Sequence, residues 1–498
     1  LMVRRLFAPA GALVLSALAA GCTMGPDYAG PPSLEGVGQP GAAFVRGGEN
    51  TPAQQPALAR WWESLNDPLL TRLVDGALAH SPSIDLAEAR IREARGKLTE
   101  GKASLMPSAS PNAMYVHAIL PGSFSTSSSE SSDDGGSGES SSEGGSSALD
   151  FYNVGANVSW EPDLWGGKRR GIEATRATLD ERFADLADAQ VSLSAQVAQS
   201  YVNLRDAQTR LRINQEAVAK QRTSLDLTRQ RLVAGTASQL EVERLQGELA
   251  ANEAQTVPLD TQILLYKNAL AVLTGQAPGA LDEALAQEAA VPLPPASVAI
   301  GDPAGLLARR PDIRAAERAL AASTAQVGVR EAQRMPGVKF MGILGIGGTD
   351  PGDVLDPGNL AALLMPQISW PLLDFGKSKA QVEQAKAQRD QAEAQYRQTV
   401  LKGLQDAEDS LARFGATRRQ LAQLAASQQS ADKAASLNAQ RTRAGTSSLI
   451  DQLDIERQAL SAASNVAQAK AQLTIDYIAV NKALGLGWSP PEAETPAS

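Results

Sequence analysis

Apolar residues recur every seven positions over one long stretch. They are Ile172, Leu179, Leu186 and Leu193, then, after a four-residue step to Val197, Leu204, Leu211, Val218, Leu225 and Leu232. A sustained heptad predicts a helix that supercoils left-handedly against a partner, and a four-residue stutter locally unwinds it. Lys168 to Ala234 contains no proline and one glycine, Gly171, so nothing interrupts a rod of roughly 100 Å. No compact globule of this size needs such a helix. Lys377 to Ala444 is as long and also proline-free, but its seam is weaker. Val382, Tyr396, Phe414 and Leu421 are kept, while Arg389, Gln428 and Thr442 stand at matching positions, which predicts wetter packing. The rods end at Gly235-Thr236 and Gly445-Thr446, where glycine suits a helix C-cap and turn. A return helix follows each, over about Gln239–Leu273 and about Ile450–Leu484. Shorter helices are predicted from about Asp67 to Ala79 and from about Pro82 to Ser104, with Ser81 as N-cap.

Ahead of each rod the period switches to two. Tyr152, Val154, Ala156, Val158 and Trp160 alternate with Asn153, Gly155, Asn157 and Ser159, as in a strand with lipid on one side and water on the other. Ile368, Trp370 and Leu372 against Gln367 and Ser369 make a shorter match, with partner strands near Ala109–Leu120 and Val338–Ile346. Four strands cannot close a membrane barrel, whose minimum is about eight, so if these strands form a barrel, several chains must share it.

The chain also repeats itself. Met106-Pro107 recurs as Met335-Pro336 and Pro82-Ser-Ile84 as Pro311-Asp-Ile313, 229 positions on. Ser159-Trp160 recurs as Ser369-Trp370, and Arg231 to Thr236 as Arg441 to Thr446, 210 positions on. The register slips where the first copy carries Gly122–Ala148, rich in Ser, Gly and acids. That stretch cannot bury enough apolar surface to order itself and reads as a solvated loop. The result is a mostly α, α+β, internally duplicated fold of strand, strand and long helical hairpin. We divide it into 1–21 as a signal peptide, 22–60 as a tether, 61–275 and 301–488 as the repeats, 276–300 as a linker, and 489–498 as a tail.

Arg4 and Arg5, an apolar run from Leu6 to Ala20 and Ala19-Ala20-Gly21-Cys22 describe a secretory signal. Cys22 is the only cysteine, which excludes a disulfide within the chain. Its place resembles a bacterial lipobox, with Ala19 where leucine is commonest, and makes Cys22 the expected lipid attachment site. A net charge of −9 argues against nucleic acid as a partner. With two histidines far apart and no nucleophile–base pair or ligand cluster, neither an enzymatic role nor a metal or other cofactor is indicated. Lys168-Arg169-Arg170 reads as a solvated or headgroup-facing turn and Arg309-Arg310-Pro311 as a helix start. Gly345-Ile-Gly347-Gly348 has no helix start after it of the kind a phosphate loop needs.

This order resembles the outer-membrane efflux proteins (the TolC-like channels), in particular the lipoprotein branch serving resistance-nodulation-division pumps. The resemblance rests on Cys22 with Gly25-Pro26-Asp27-Tyr28; Trp61-Trp62 with Asp67-Pro68; and Trp160-Glu-Pro-Asp163-Leu-Trp165-Gly166. Arg309-Arg310-Pro311-Asp312-Ile313 with Glu317, and Ala483-Leu484-Gly485-Leu486-Gly487-Trp488, complete it. It implies a homotrimer whose chains share a 12-stranded outer-membrane barrel continued by a periplasmic α-helical barrel. It also implies a periplasmic adaptor (membrane fusion) protein and an inner-membrane transporter as partners. By this likeness Arg231, Gly235, Thr236, Arg441, Gly445 and Thr446 form the adaptor-contact tips, and Asp451, Asp454 and Glu241 the periplasmic gate. Where members with a well-developed gate lock carry Arg and Tyr, this chain has Ser447 and Thr442. A type I protein secretion channel and a pore-free coiled-coil scaffold are the alternative readings.

Overall fold

A computed structural model describes residues 23–32, 43–47, 59–120 and 147–489. Cys22, the signal segment and most of the Ser/Gly/acid loop lie outside the described residues. Each repeat opens with two short helices. In the first, Asp67 caps α1 (Pro68–His80), its carboxylate accepting from Leu69 N and Leu70 N, and α2 spans Pro82–Ala103. In the second, Asp302 caps α5 (Pro303–Arg309), and α6 spans Pro311–Ala332. Here α3 is Gly167–Val233, α4 Gln239–Leu273, α7 Lys377–Arg443 and α8 Leu449–Ala483. Duplication is visible in the lengths: 22 residues for α2 and α6, 67 for α3 and α7, and 35 for α4 and α8. Pro258 lies inside α4 although it brings no N–H to the helix, and the helix continues through it. Among the described residues no helix is long and apolar enough to cross a membrane.

The chain divides into two compact units. The first holds a sheet of β1 (Ser108–Leu120), β2 (Ser147–Trp160), β3 (Gly337–Gly348) and β4 (Leu360–Ser369), antiparallel and in that order, so β1 and β4 are its edges. Tyr115 stacks on Tyr152 at 4.8 Å and Trp160 on Phe340 at 5.9 Å, on the face that also carries Val154, Leu344 and Leu364. The other face is small and polar from Asn153 to Ser159 of β2, whereas Phe151 and, in β3 and β4, Ile343, Met341, Leu363 and Met365 make it apolar. That explains a correction: β4 covers Leu360–Ser369, not the Gln367–Leu372 stretch the alternation indicated. Apolar residues on both faces erase a period of two, and Pro371 follows the strand where alternation alone would extend it.

A second correction concerns the basic run. Arg170 is no solvated turn: its guanidinium is buried and donates to Met24 O at 3.1 Å and to Asp27 and Glu173. Gly25 packs so closely on Gly328 that a side chain there would collide. The described start of the tether, around Met24 to Asp27, is therefore docked in this unit.

The second unit holds the main core. Trp61 and Trp62 meet edge-on at 5.9 Å, Tyr477 packs on Trp61, and Leu70, Val74, Leu204, Leu270 and Leu484 close around them. Around the stutter at Val197, α3 is enclosed on several sides, with Val191, Leu193, Ala198, Tyr201 and Arg205 all buried. The phase step thus coincides with the place where the rod becomes a core helix. Arg310 ties three elements here, donating to Asp312, to Gly403 O at 3.2 Å and to Ala483 O at 2.9 Å. The stretch read as a linker is packed too, with Leu285, Val298 and Ile300 buried and Gln287 O accepting from Arg205. Phe44 reaches this core while Val45 N and Arg46 N donate to the Glu408 carboxylate at 2.8 and 2.9 Å.

Candidate functional site

Both hairpin ends in the second unit are built the same way. Gly235 and Gly445 each sit at φ +73°, which a β-carbon disfavours and glycine permits. Thr236 N donates to Arg231 O at 2.8 Å and Gly235 N to Leu232 O at 2.9 Å. Thr446 N to Arg441 O and Gly445 N to Thr442 O repeat the pattern at 2.9 and 3.0 Å. This is the double bond of a Schellman motif, which satisfies carbonyls left over at a helix end. The Thr236 and Thr446 hydroxyls also donate to those arginine carbonyls, both at 3.1 Å. Tip residues named from the sequence are therefore brought together as two matching turns.

The acids are placed differently from one another. Glu241 closes a capping box on α4: its carboxylate accepts from Ser238 N at 2.9 Å, and Ser238 Oγ accepts from Glu241 N. Asp451 holds the same position on α8, where Ser448 Oγ accepts from its N–H at 3.0 Å. The aspartate is one methylene shorter, and its side chain is exposed. Asp454 is paired: Arg244 of the first repeat donates to it at 3.3 Å, and Arg457 lies 3.7 Å away. Glu241, Arg244 and Asp454 all line a cleft of about 730 Å³ between the two tips.

Two residues here escaped the sequence reading. Asn438 and Gln452 are buried and joined, Asn438 Nδ2 donating to Gln452 Oε1 at 2.9 Å. Ser447 Oγ donates to Asn438 Oδ1 at 2.8 Å, and Gln452 Nε2 to Glu456 at 2.5 Å. Thr442 Oγ1 donates to Asn438 O. At the first tip the matching positions are Thr228, whose hydroxyl donates to Ser224 O, and Val242, which packs with Leu225 and Leu245. A signal existed: Gln452 stands where the repeat register places Val242. Beside the first tip Val233 and Leu240 are exposed, 91% and 78%.

The profile of the Outer membrane efflux protein family matches residues 73–276 and 303–486. Nodulation protein T of Rhizobium leguminosarum bv. trifolii is 29% identical over 477 residues, 95% of this chain and 96% of its own. The toluene efflux pump outer membrane protein TtgF of Pseudomonas putida is 26% identical over 486 residues, covering 96% of both chains. The solved outer-membrane channel OprN superimposes with a TM-score of 0.83 at 32% identity, covering 94% of this chain and all of its own. With two matched blocks that follow the internal duplication and leave the 277–302 segment between them, the chain belongs to the outer membrane efflux protein family.

Proposed function

We propose that three copies of this chain form the passive exit duct of a tripartite efflux system, seated in the bacterial outer membrane and reaching into the periplasm. The observation that carries this reading is the four-stranded sheet with an apolar face and two unpaired edges, joined to 67-residue helices. An open edge in lipid leaves backbone polar groups unsatisfied at several kcal/mol each, so the sheet must close. Four strands fall short of about eight, and three chains supply twelve. The toluene efflux relative supports small toxic organic compounds as cargo.

Asp451 and Asp454 share one helix face, three residues apart. In a trimer they make two rings of carboxylates whose repulsion favours dilation and which attract cations. Arg244 opposes this by holding Asp454 across the repeats. It takes the place of the lock that Thr442 and Ser447, both used within the second hairpin, do not supply. The pair is about half exposed, and such pairs contribute roughly 0–1 kcal/mol. Engagement at the tips therefore outweighs it easily. A periplasmic adaptor fits the turns at Gly235 and Gly445 and the exposed Val233 and Leu240. An inner-membrane resistance-nodulation-division transporter supplies the energy, and lipid on Cys22 adds an anchor.

A deletion strain complemented with Gly235→Val or Gly445→Val tests this. Each variant forces a β-branched residue into a left-handed conformation, so it should reach the outer membrane normally yet restore little resistance to efflux substrates. Full resistance from both variants would remove the tips from the mechanism. Undiminished resistance in the deletion strain itself would remove the efflux reading.

A further inference from the structure

Both repeats carry a loop between a strand and a long helix, but the single chain finishes only one of them. In the first, Trp160–Gly166 leads from β2 to α3. Trp165 is half-buried, and its Nε1 donates to Pro336 O at 2.8 Å, so the ring lies on the turn joining α6 to β3. Thr23 closes the open side of Gly166, and Met24 N donates to Trp165 O at 3.1 Å. The second loop, Trp370–Gly376, lies 210 positions on and keeps its final glycine left-handed, at φ +90° against +77°.

Here the apolar side chains have nothing to cover. Phe375, the counterpart of Trp165, is fully exposed, Leu373 is 87% exposed, and nothing lies within 4 Å of the position a β-carbon on Gly376 would take. Phe375 also sits at φ +51°, which an aromatic residue adopts only where its surroundings impose it. The loop is nonetheless fixed, since the Asp374 carboxylate accepts from Gly376 N at 3.0 Å and from Ser378 N at 2.8 Å. An apolar ring is thus presented, not adrift. The turn that matches Met335-Pro336 is Met106-Pro107, where Met106 is itself 68% exposed. The strands next to these two surfaces, β4 and β1, are the sheet's free edges.

We propose that Phe375 is a latch between subunits, seated on Met106 and Pro107 of a second copy as Trp165 is seated on Met335 and Pro336 within the chain. The same relation fixes strand register. Ser159 faces Met341 and Val158 faces Gly342 between β2 and β3. Carried through the repeat, Ser369 faces Asn112 and Ile368 faces Ala113 of the next copy. The inference rests on the assembly proposed above and names which residues meet.

Cysteine pairs in the full-length chain, oxidised in native outer membranes, test the register. Directly opposed Cα atoms lie about 4.5–5.5 Å apart, within disulfide reach, whereas diagonal neighbours at about 7–8 Å are not. Ser369→Cys with Asn112→Cys should give a covalent ladder between chains, and Ser369→Cys with Met114→Cys at least about tenfold less. Each single variant controls for Cys22. Preferential linkage in the Met114 arrangement, in particles of normal size, overturns the register. A monomer by light scattering before any cysteine is introduced overturns the assembly instead. Phe375→Ala should weaken association about tenfold or more per interface, while Phe375→Trp, which restores the first repeat's residue, should not. Unchanged association in Phe375→Ala, or equal loss in both variants, overturns the latch.

Discussion

Buried guanidinium groups organise both units. Arg310 gathers Gly403 O, Ala483 O and Asp312, and Arg170 gathers Met24 O, Asp27 and Glu173. Each sits in a basic run, and nothing in such a run says which member turns inward, because the buried carbonyls that receive it, Gly403 O, Ala483 O and Met24 O, are remote in sequence. Asp188 belongs to the same neighbourhood as Arg310. Burial pushes its carboxyl above the usual aspartate range, Asp312 adds to this, and Lys482 and Arg310 oppose it. The folded chain thus holds that proton more tightly than the unfolded chain. Stability from this site is present at low pH and falls as pH rises from about 4 through the folded value. Asp188→Asn should therefore raise the thermal midpoint at pH 7, with the gain fading toward pH 4; a lower midpoint at pH 7 contradicts this. If the proposed gate is right, Asp451→Ala with Asp454→Ala should weaken block of conductance by divalent or polyvalent cations severalfold. Unchanged block would take both carboxylates out of the constriction.

The two hairpins share a backbone but not an interior. Leu225, Val242 and Leu245 form an apolar cluster at the first tip, while Asn438 and Gln452 place a hydrogen-bonded polar pair inside the second. A satisfied hydrogen bond contributes about 1 kcal/mol net, less than burying the apolar side chains it replaces. Hydrogen exchange should accordingly be faster over 438–456 than over 228–246; equal protection would contradict the difference. The heptads located the rods to within a residue or two, since a core seam on a long helix leaves a strong period. Strands were harder to place. In β4, Ala361, Leu363 and Met365 occupy the face that the alternation in β2 had marked as polar, so the pattern there lost its contrast. For the proposed gate, the family resemblance singled out Glu241, Asp451 and Asp454. It gave no sign that Glu241 spends its carboxylate on a cap or that Arg244 holds Asp454.

At the scale of the molecule, duplication explains why the topology could be read at all: each repeat supplies the same elements in the same order, with three helix pairs of equal length, so one deciphers the other. What stayed hidden depends on segments of irregular sequence. The docking of Thr23–Tyr28 by Arg170 and of Phe44 beside Glu408 leaves no periodic trace. Nor does one chain close its sheet, and in the proposed assembly its free edges join those of other copies around water. Single-channel recording of the purified full-length protein in planar lipid bilayers tests this most directly. Stepwise, long-lived conductance from inserted oligomers, increased when Asp451 and Asp454 are neutralised in the presence of blocking cations, is the predicted result. Inserted protein that stays electrically silent across voltages, with or without those substitutions, would contradict it.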